Sequence, residues 1–345
     1  MSGVSTNVPQ ATPGVDVVCV IVTYAERRAL LCQVLDALPA QGVRRAVVVD
    51  NGARWPVRAE LAAKYGDFVD VVEMGRNTGS APGYAAGIQR ALDLGAEFIF
   101  LLDDDNRPEP GALSTLLQAH AELARSTPRD RLAVLAFRPS HQGDVADGVP
   151  ASRVNPRPSS FLGFHVLDIP YKLWRRTPWG RPRLRHGLPA RVDMTMAPYG
   201  GLLLHRDAVQ TIGLPNPAFV LYGDDTEWSY RLHRCGGRIV LVTAARVDDL
   251  ESSWSLKSSF GTSFNAFLSG TGDFRAFYGL RNAAYFFHHC HARRNPMFWV
   301  NVRTYKMLLG IFAVATGKMA RYALLVRAMR DGKAGRLGLS AEFPL

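Results

Sequence analysis

The feature that most restricts the fold of this chain is a rhythm in its first hundred residues. Apolar runs recur at Val17 to Val22, Ala46 to Val49, Val69 to Glu73 and Phe98 to Leu102, and amphipathic stretches fill the gaps at Arg27 to Leu38, Val57 to Lys64 and Ser80 to Leu94. Short apolar runs alternating with helical periodicity predict a parallel sheet covered by helices. The strand-to-helix loops of such a sheet gather at the carboxyl ends of the strands, where open α/β folds take their ligands. Here those loops carry Thr23, Asp50-Asn51-Gly52, Arg76-Asn77-Thr78-Gly79 and Asp103-Asp104-Asp105. Each cluster alone makes a good turn; four of them on one edge suggest a ligand site. Thr23 and Glu26 also have capping-box spacing, and Pro110 suits the first turn of a helix running to about Arg125.

Three adjacent carboxylates repel one another, so Asp103, Asp104 and Asp105 call for hydrogen-bond donors or a cation beside them. In extended chain, Asp103 and Asp105 face one side and Asp104 the other, and the first two can share one Mg²⁺ or Mn²⁺. Such an ion suits a diphosphate, because it neutralises charge on a phosphate leaving group. A second acidic cluster, Gly223-Asp224-Asp225-Thr226-Glu227-Trp228, precedes a helical segment ending near Arg234. One aspartate there caps the helix. Its neighbour fits a general base that takes a proton from a hydroxyl nucleophile.

Composition narrows the alternatives. A chain of 345 residues implies one large α/β unit with a helical appendage. Cys19, Cys32, Cys235 and Cys290 lack paired spacing, which argues against a disulfide framework or zinc knuckle and fits a reducing compartment. The polar stretch Met1 to Gly14 reads as a disordered leader, residues 1–15, rather than a signal peptide. No apolar run reaches the roughly 20 residues of a spanning helix, so the expected location is the cytoplasm. The net charge of +11 asks for an acidic partner: nucleic acid, an anionic membrane or a phosphorylated substrate. A nucleic-acid-binding reading lacks any helix-turn-helix, zinc pattern or RNA-binding aromatic signature, and the acidic loop edge opposes it. A dehydrogenase reading lacks the glycine fingerprint after the first strand, where Thr23-Tyr24-Ala25-Glu26 stands.

From Pro139 to Arg191 the pattern loosens. Lys172, Arg175, Arg176, Arg181, Arg183, Arg185 and Arg191 fall between Asp168 and Asp193 with no acid among them, as in a solvated loop, a phosphate clamp or a lipid-headgroup contact. Further on, Leu308, Ile311, Phe312, Ala315, Met319, Tyr322, Val326 and Met329 form one apolar stripe at helical spacing, with Lys306, Lys318, Arg321, Arg327, Arg330, Lys333 and Arg336 around it and Asp331 the only acid among them. Two readings stay open: packing against the α/β unit, or an amphipathic helix lying on an anionic membrane. His288, His289 and His291 suggest a metal site only weakly, since adjacent helical residues point to different faces.

The order and spacing of Val20-Ile21-Val22-Thr23-Tyr24, Val48-Val49-Asp50-Asn51-Gly52, Arg76-Asn77-Thr78-Gly79-Ser80, Leu101-Leu102-Asp103-Asp104-Asp105, Tyr222-Gly223-Asp224-Asp225-Thr226-Glu227 and Tyr278-Gly279-Leu280-Arg281-Asn282 resemble the family 2 inverting glycosyltransferases of the GT-A fold, in the galactofuranosyl- and rhamnosyltransferase-like branch. The resemblance covers about residues 16–285, leaving 286–345 as a C-terminal helical, membrane-associated or core-packed region. It implies a Rossmann-like, mostly parallel central sheet. It also implies metal-dependent sugar transfer (Mn²⁺ or Mg²⁺) from a nucleotide-sugar to a polyprenyl-diphosphate-linked glycan in cell-envelope polysaccharide synthesis, at the inner face of the plasma membrane. UDP-galactofuranose is the first donor it suggests and dTDP-rhamnose the second. By the same resemblance Thr23, Asp50, Asn51, Arg76, Asn77, Asp103 and Asp104 bind the nucleotide-sugar, Asp103 and Asp105 hold the metal, Asp225 is the base and Asp224 positions substrate hydroxyls. Two departures stand out. Where the family often has a histidine metal ligand this chain has Arg246-Val247-Asp248-Asp249-Leu250-Glu251, so that Asp248 or Asp249 replaces it or the ion keeps a further water; Asp249 is the replacement taken here. Ala81-Pro82 stands where a glycine-rich stretch is common, which stiffens the donor loop.

Overall fold

A computed structural model describes residues 15–181, 184, 187–251, 263–270, 272–291 and 295–345. Apart from Val15 the expected leader lies outside them, as do Arg183 and Arg185 of the basic run. The chain divides into two interleaved units. The first takes residues up to 138, then 189–216 and 228–251; the second takes 139–188, 217–227 and 252–345.

The strands belong to the first unit: β1 Val17–Ala25, β2 Arg45–Ala53, β3 Val69–Glu73, β4 Phe98–Asp103, β5 Asn106–Pro108, β6 Leu132–Phe137, β7 Arg191–Met194, β8 Leu202–His205 and β9 Arg238–Asp249. Their order is β3-β2-β1-β4-β8-β6-β9-β5, with β7 also on β9. β1, β2, β3 and β4 pair in parallel, and β6 pairs in parallel with β9; β8, β5 and β7 run antiparallel to their neighbours. The sheet is therefore mostly parallel, and this is the GT-A arrangement anticipated above. Helices Arg28–Ala37, Val57–Tyr65, Ser80–Asp93 and Ala112–Leu123 follow the rhythm read from sequence. Leu31, Leu35, Phe100, Leu102, Leu113 and Leu116 are fully buried in one apolar core, each contributing about 1.5–3 kcal/mol.

The capping box does not form. β1 continues to Ala25, the next helix starts only at Arg28, and the Thr23 hydroxyl turns to Asp104 instead. The stiff Ala81-Pro82 pair lies in the first turn of helix Ser80–Asp93, where a proline's missing N–H costs nothing. The glycine that matters comes a turn later: a Cβ at Gly87 would sit 2.5 Å from Val20 Cγ1 and 2.9 Å from Val49 Cγ2, so its absence lets the helix lie close on β1 and β2.

In the second unit, helices Asp273–Phe286, Pro296–Ala315 and Met319–Lys333 enclose an aromatic core in which Phe161 meets Phe298, Tyr305 and His288 edge-on. The continuous apolar stripe expected from Leu308 to Met329 is broken. Gly317 takes φ +66, Gly317 N–H donates to Val314 O and Lys318 N–H to Ala313 O, a Schellman stop that ends one helix before the next begins. His288 is buried among Phe161, Phe298 and Trp299, and His289 bonds the Lys333 carbonyl, so these histidines serve packing.

Candidate active site

From β1 the chain moves outward through β2 and β3, then returns to the other side of β1 as β4. Such a reversal opens a crevice at the carboxyl ends of the two diverging strands. In the β1–β4 register Val22 stands opposite Asp103, which puts Thr23 and the aspartate triplet side by side at its mouth.

β4 ends at Asp103, and a turn rather than extended chain separates the three carboxylates. Asp104 goes inward: it is buried, accepts from Thr23 Oγ1 at 2.9 Å and from Arg27 Nε at 2.7 Å. Burial raises it to about 7, against the opposing pull of Arg27 and Thr23. Asp104 thus ties β1 to β4 instead of facing a ligand. Asp103 is the open member, its side chain 42% exposed. One of its oxygens lies 2.7 Å from Tyr84 Oη and the other 3.5 Å from an Arg138 terminal nitrogen. Asp105 lies 3.2 Å from an Arg27 terminal nitrogen and accepts from Asn106 Nδ2 at 3.0 Å. Burial, then the charge of Asp103, raises it to about 6.

The long strand β9 completes the cluster. Its pairing with β6 shifts register between Ala136 and Phe137, and beyond that irregularity it turns to β5, placing Asp249 opposite Asn106. Arg138 binds Asp249 Oδ1 through Nε at 2.8 Å and through a terminal nitrogen at 2.6 Å, while Asn106 Nδ2 adds a third contact at 3.0 Å. Burial works against the charge of Arg138, but Asp103 and Asp249 overcome it and hold the guanidinium raised. A Cβ at Gly200 would fall 2.0 Å from Asn106 Oδ1 and 2.1 Å from Arg138. Glycine is required there for the cluster to close.

Room for a divalent ion depends on what these oxygens already bind. Asp104 is committed to Thr23 and Arg27, and Asp249 Oδ1 to Arg138 and Asn106. Among the described residues no group of three or more His, Cys, Asp or Glu side chains is arranged to hold an ion. The expected third ligand Asp249 is thus held by a guanidinium. Asp103 and Asp105 retain acceptor capacity, since each carboxylate oxygen has two lone pairs. Two carboxylates, with diphosphate oxygens and water making up the rest, suit the hard, octahedral Mg²⁺ or Mn²⁺.

The neighbouring loops are internally stapled. Asn51 accepts from the Thr78 N–H and hydroxyl, both at 2.8 Å, and donates to the Gly79 carbonyl and to Asn77 Oδ1. Asn77 Oδ1 also accepts from Gly79 N–H. Both side chains shape the loop that presents Arg76, which is exposed and has no ion-pair partner among the described residues. Asp50 Oδ1 accepts from the N–H groups of Gly52 and Ala53.

Helix Asp224–Arg234 begins at the anticipated acids, and its first turn, Asp224 to Glu227, falls in the second unit. Asp224 is buried; Asp225 is half-buried and accepts from Thr226 N–H at 2.6 Å. The loop before them bends through left-handed conformations at Val220, Tyr222 and Gly223. Asn282 Nδ2 holds it, lying 2.7, 2.8 and 2.9 Å from the carbonyls of Phe219, Leu221 and Tyr222. Arg281 Nε donates to Asn282 Oδ1 and so fixes the amide orientation.

Sequence reasoning missed Arg27, Tyr84, Asn106, Arg138 and Gly200. Arg138 was within reach: it ends the apolar run Leu132 to Phe137, as Asp103 ends its own. The others depend on contacts across the fold.

Comparison with known proteins supplies the rest. The profile of Glycosyl transferase family 2 matches residues 18–172. The chain is 34% identical over 232 residues to a galactofuranosyltransferase, GlfT1, of Mycolicibacterium smegmatis, covering 64% of this chain and 67% of that protein. It is 30% identical over 234 residues to GlfT1 of Mycobacterium tuberculosis, covering 64% of this chain and 65% of that protein. A crystal structure of GalNAc-T7 with UDP, GalNAc and Mn²⁺ superposes with a TM-score of 0.52 at 17% identity, covering 79% of this chain and 47% of that one.

Proposed function

The chain belongs to glycosyltransferase family 2 and is a glycosyltransferase of the GT-A fold, and from that premise we propose that it moves galactofuranose, with inversion, from UDP-galactofuranose to a lipid-linked glycan acceptor in cell-envelope polysaccharide synthesis. The observation that carries the donor half is the carboxylate cluster of Asp103 and Asp105, braced by Arg138, at the switch point between β1 and β4. The choice of sugar rests on the identity to GlfT1.

In this reading Asp50 meets the nucleoside, the buried Thr23 holds Asp104 beneath it instead of touching the ligand, and Arg76 lies along the diphosphate, its cation opposing the charge of the leaving group. Asp103 and Asp105 hold the divalent ion, which when bound neutralises charge on the departing diphosphate. Asp225 takes the acceptor hydroxyl proton as the oxygen attacks the anomeric carbon, and the buried Asp224 beside it acts on the acceptor only through its neighbour. A single displacement inverts the centre and needs no covalent sugar–enzyme bond.

The test is UDP release and sugar transfer with UDP-galactofuranose or dTDP-rhamnose, with Mn²⁺ or Mg²⁺, for the native protein, Asp103→Ala and Asp225→Asn. Asp103→Ala is expected to weaken metal-dependent donor binding. Asp225→Asn is expected to bind donor normally and to lose transfer by about 10²–10⁴-fold. Native rates in both variants overturn the residue roles, and a preference for dTDP-rhamnose overturns the sugar.

A further inference from the structure

Helix Pro296–Ala315 buries Phe298, Val302, Tyr305, Leu309 and Ala313, yet its opposite face is not polar. Val300, Met307, Ile311 and Val314 recur at helical spacing along that outer side, and Val314 is 68% exposed. A helix whose outer face, apart from Arg303, is apolar belongs against a core or lipid. Among the described residues no helix is long and apolar enough to cross a membrane, so this one has an uncovered apolar side without the means to span.

A second element adjoins it. Asn301, beside Val300, accepts from Val166 N–H at 2.9 Å and donates to the Ser159 carbonyl at 2.8 Å, which fastens the segment that follows Val166 to the same helix. That segment exposes Leu167, Leu173 and Trp174, and then Trp179 at 85%. Trp179 stands on a built turn: Thr177 donates through both N–H and hydroxyl to the Trp174 carbonyl, and Gly180 N–H reaches back to Thr177. A Cβ at Gly180 would meet Trp174 O at 1.9 Å, so only glycine closes it. A large aromatic held out by a specific turn is unlike a residue left over from packing.

Among the described residues the charge around these apolar groups is mainly positive. Lys172, Arg176, Arg181, Arg303 and Lys318 are exposed among them. The nearby acids are matched by arginines: Asp168 by Arg157 and Arg153, Asp144 by Arg175, and Asp273 by Arg321. Two copies meeting through such a face would bring like charges together. An anionic bilayer complements both properties, taking tryptophan at headgroup level and cations at its surface.

We propose that the second unit docks on an anionic lipid surface through the Trp179 turn and the outer face of helix Pro296–Ala315. This surface shares Ile311 with the stripe read in sequence and otherwise departs from it, Met329 of that stripe being buried in the core. It stands independently of the sugar chemistry.

The experiment is sedimentation of the full chain with vesicles of phosphatidylcholine alone, or with about one-third phosphatidylglycerol. Binding is expected only to the anionic vesicles and to fade at high salt. Combined Arg176→Gln and Arg181→Gln should weaken it about 25-fold, at about fivefold per charge. Trp179→Ser and Ile311→Glu should each weaken it by about fivefold or more, with UDP affinity and melting temperature unchanged. Equal binding to neutral vesicles, no binding to either, or a dimer in sedimentation equilibrium that Ile311→Glu dissociates would overturn the proposal.

Discussion

Replacing Asn282 tests whether the loop before Asp224 and Asp225 is held against its own preference. Val220 and Tyr222 have φ of 66° and 65°, conformations that cost about 1–3 kcal/mol each for residues with a Cβ. Against this stand the contacts of Asn282 Nδ2 to three carbonyls at 2.7–2.9 Å, which its two N–H groups share and which amount to about two bonds of 0.5–1.5 kcal/mol net apiece. The two totals are of similar size, so without the amide the loop has no reason to keep its shape. Asn282→Ala should cost about 1–2 kcal/mol of stability, less than the bonds lost, because strain is released with them. Misplacing a reacting group by an ångström costs about 10²-fold in rate, and kcat for transfer should fall by about that factor. Asn282→Asp, of the same shape but turning oxygen towards three carbonyl oxygens, should be worse than alanine. Thermal melts, UDP affinity by calorimetry and initial transfer rates make the measurement. Affinity for UDP should stay within about twofold while kcat drops. A variant that melts and transfers like the native protein refutes the reasoning, and so does one that loses UDP affinity in step with rate.

Two further outcomes follow from buried geometry. Gly200→Ala drives a methyl into Asn106 and Arg138, so metal-dependent UDP binding should weaken at least tenfold, about 1.4 kcal/mol, as read by calorimetry; unaltered binding would show that the cluster tolerates opening. His120 is buried against Phe98, and burial lowers it from 6.5 to about 4. Because the unfolded chain protonates first, His120 contributes stability above about pH 6.5 that is lost as pH falls towards 4, up to about 3 kcal/mol in all. Denaturant melts from pH 7 to 4 should show that slope, and His120→Leu should flatten it.

The loops and their order were legible because they follow from period alone: Thr23, Asp50, Arg76 and Asp103 each close an apolar run or precede a helix. The twin acids at Asp224 were likewise visible as a helix start. What was hidden lay in partners distant in sequence. Nothing near Asp104 announces Arg27, and only the turn after Asp103 sends that middle carboxylate inward. Asp249 was noticed for want of a histidine, yet its engagement by Arg138 depends on β9 leaving β6 for β5. The single stripe from Leu308 to Met329 failed because helical periodicity runs on through Gly317, while the backbone there turns left-handed.

The change of partner along β9 divides one strand into two with separate duties. Its first half is held in the core between β6 and β7, where Ile239, Val240, Leu241 and Val242 are all buried. Its second half carries Asp249 as a rim residue. An indel confined to the irregular stretch 243–245 would leave the core register intact and still change the rim. One residue more or less would exchange Asp248 for Asp249 at the Arg138 contact, and two would slide the rim by about 7 Å. Acidic equipment at this edge can thus diverge by length alone, without a single replacement in the hydrophobic interior.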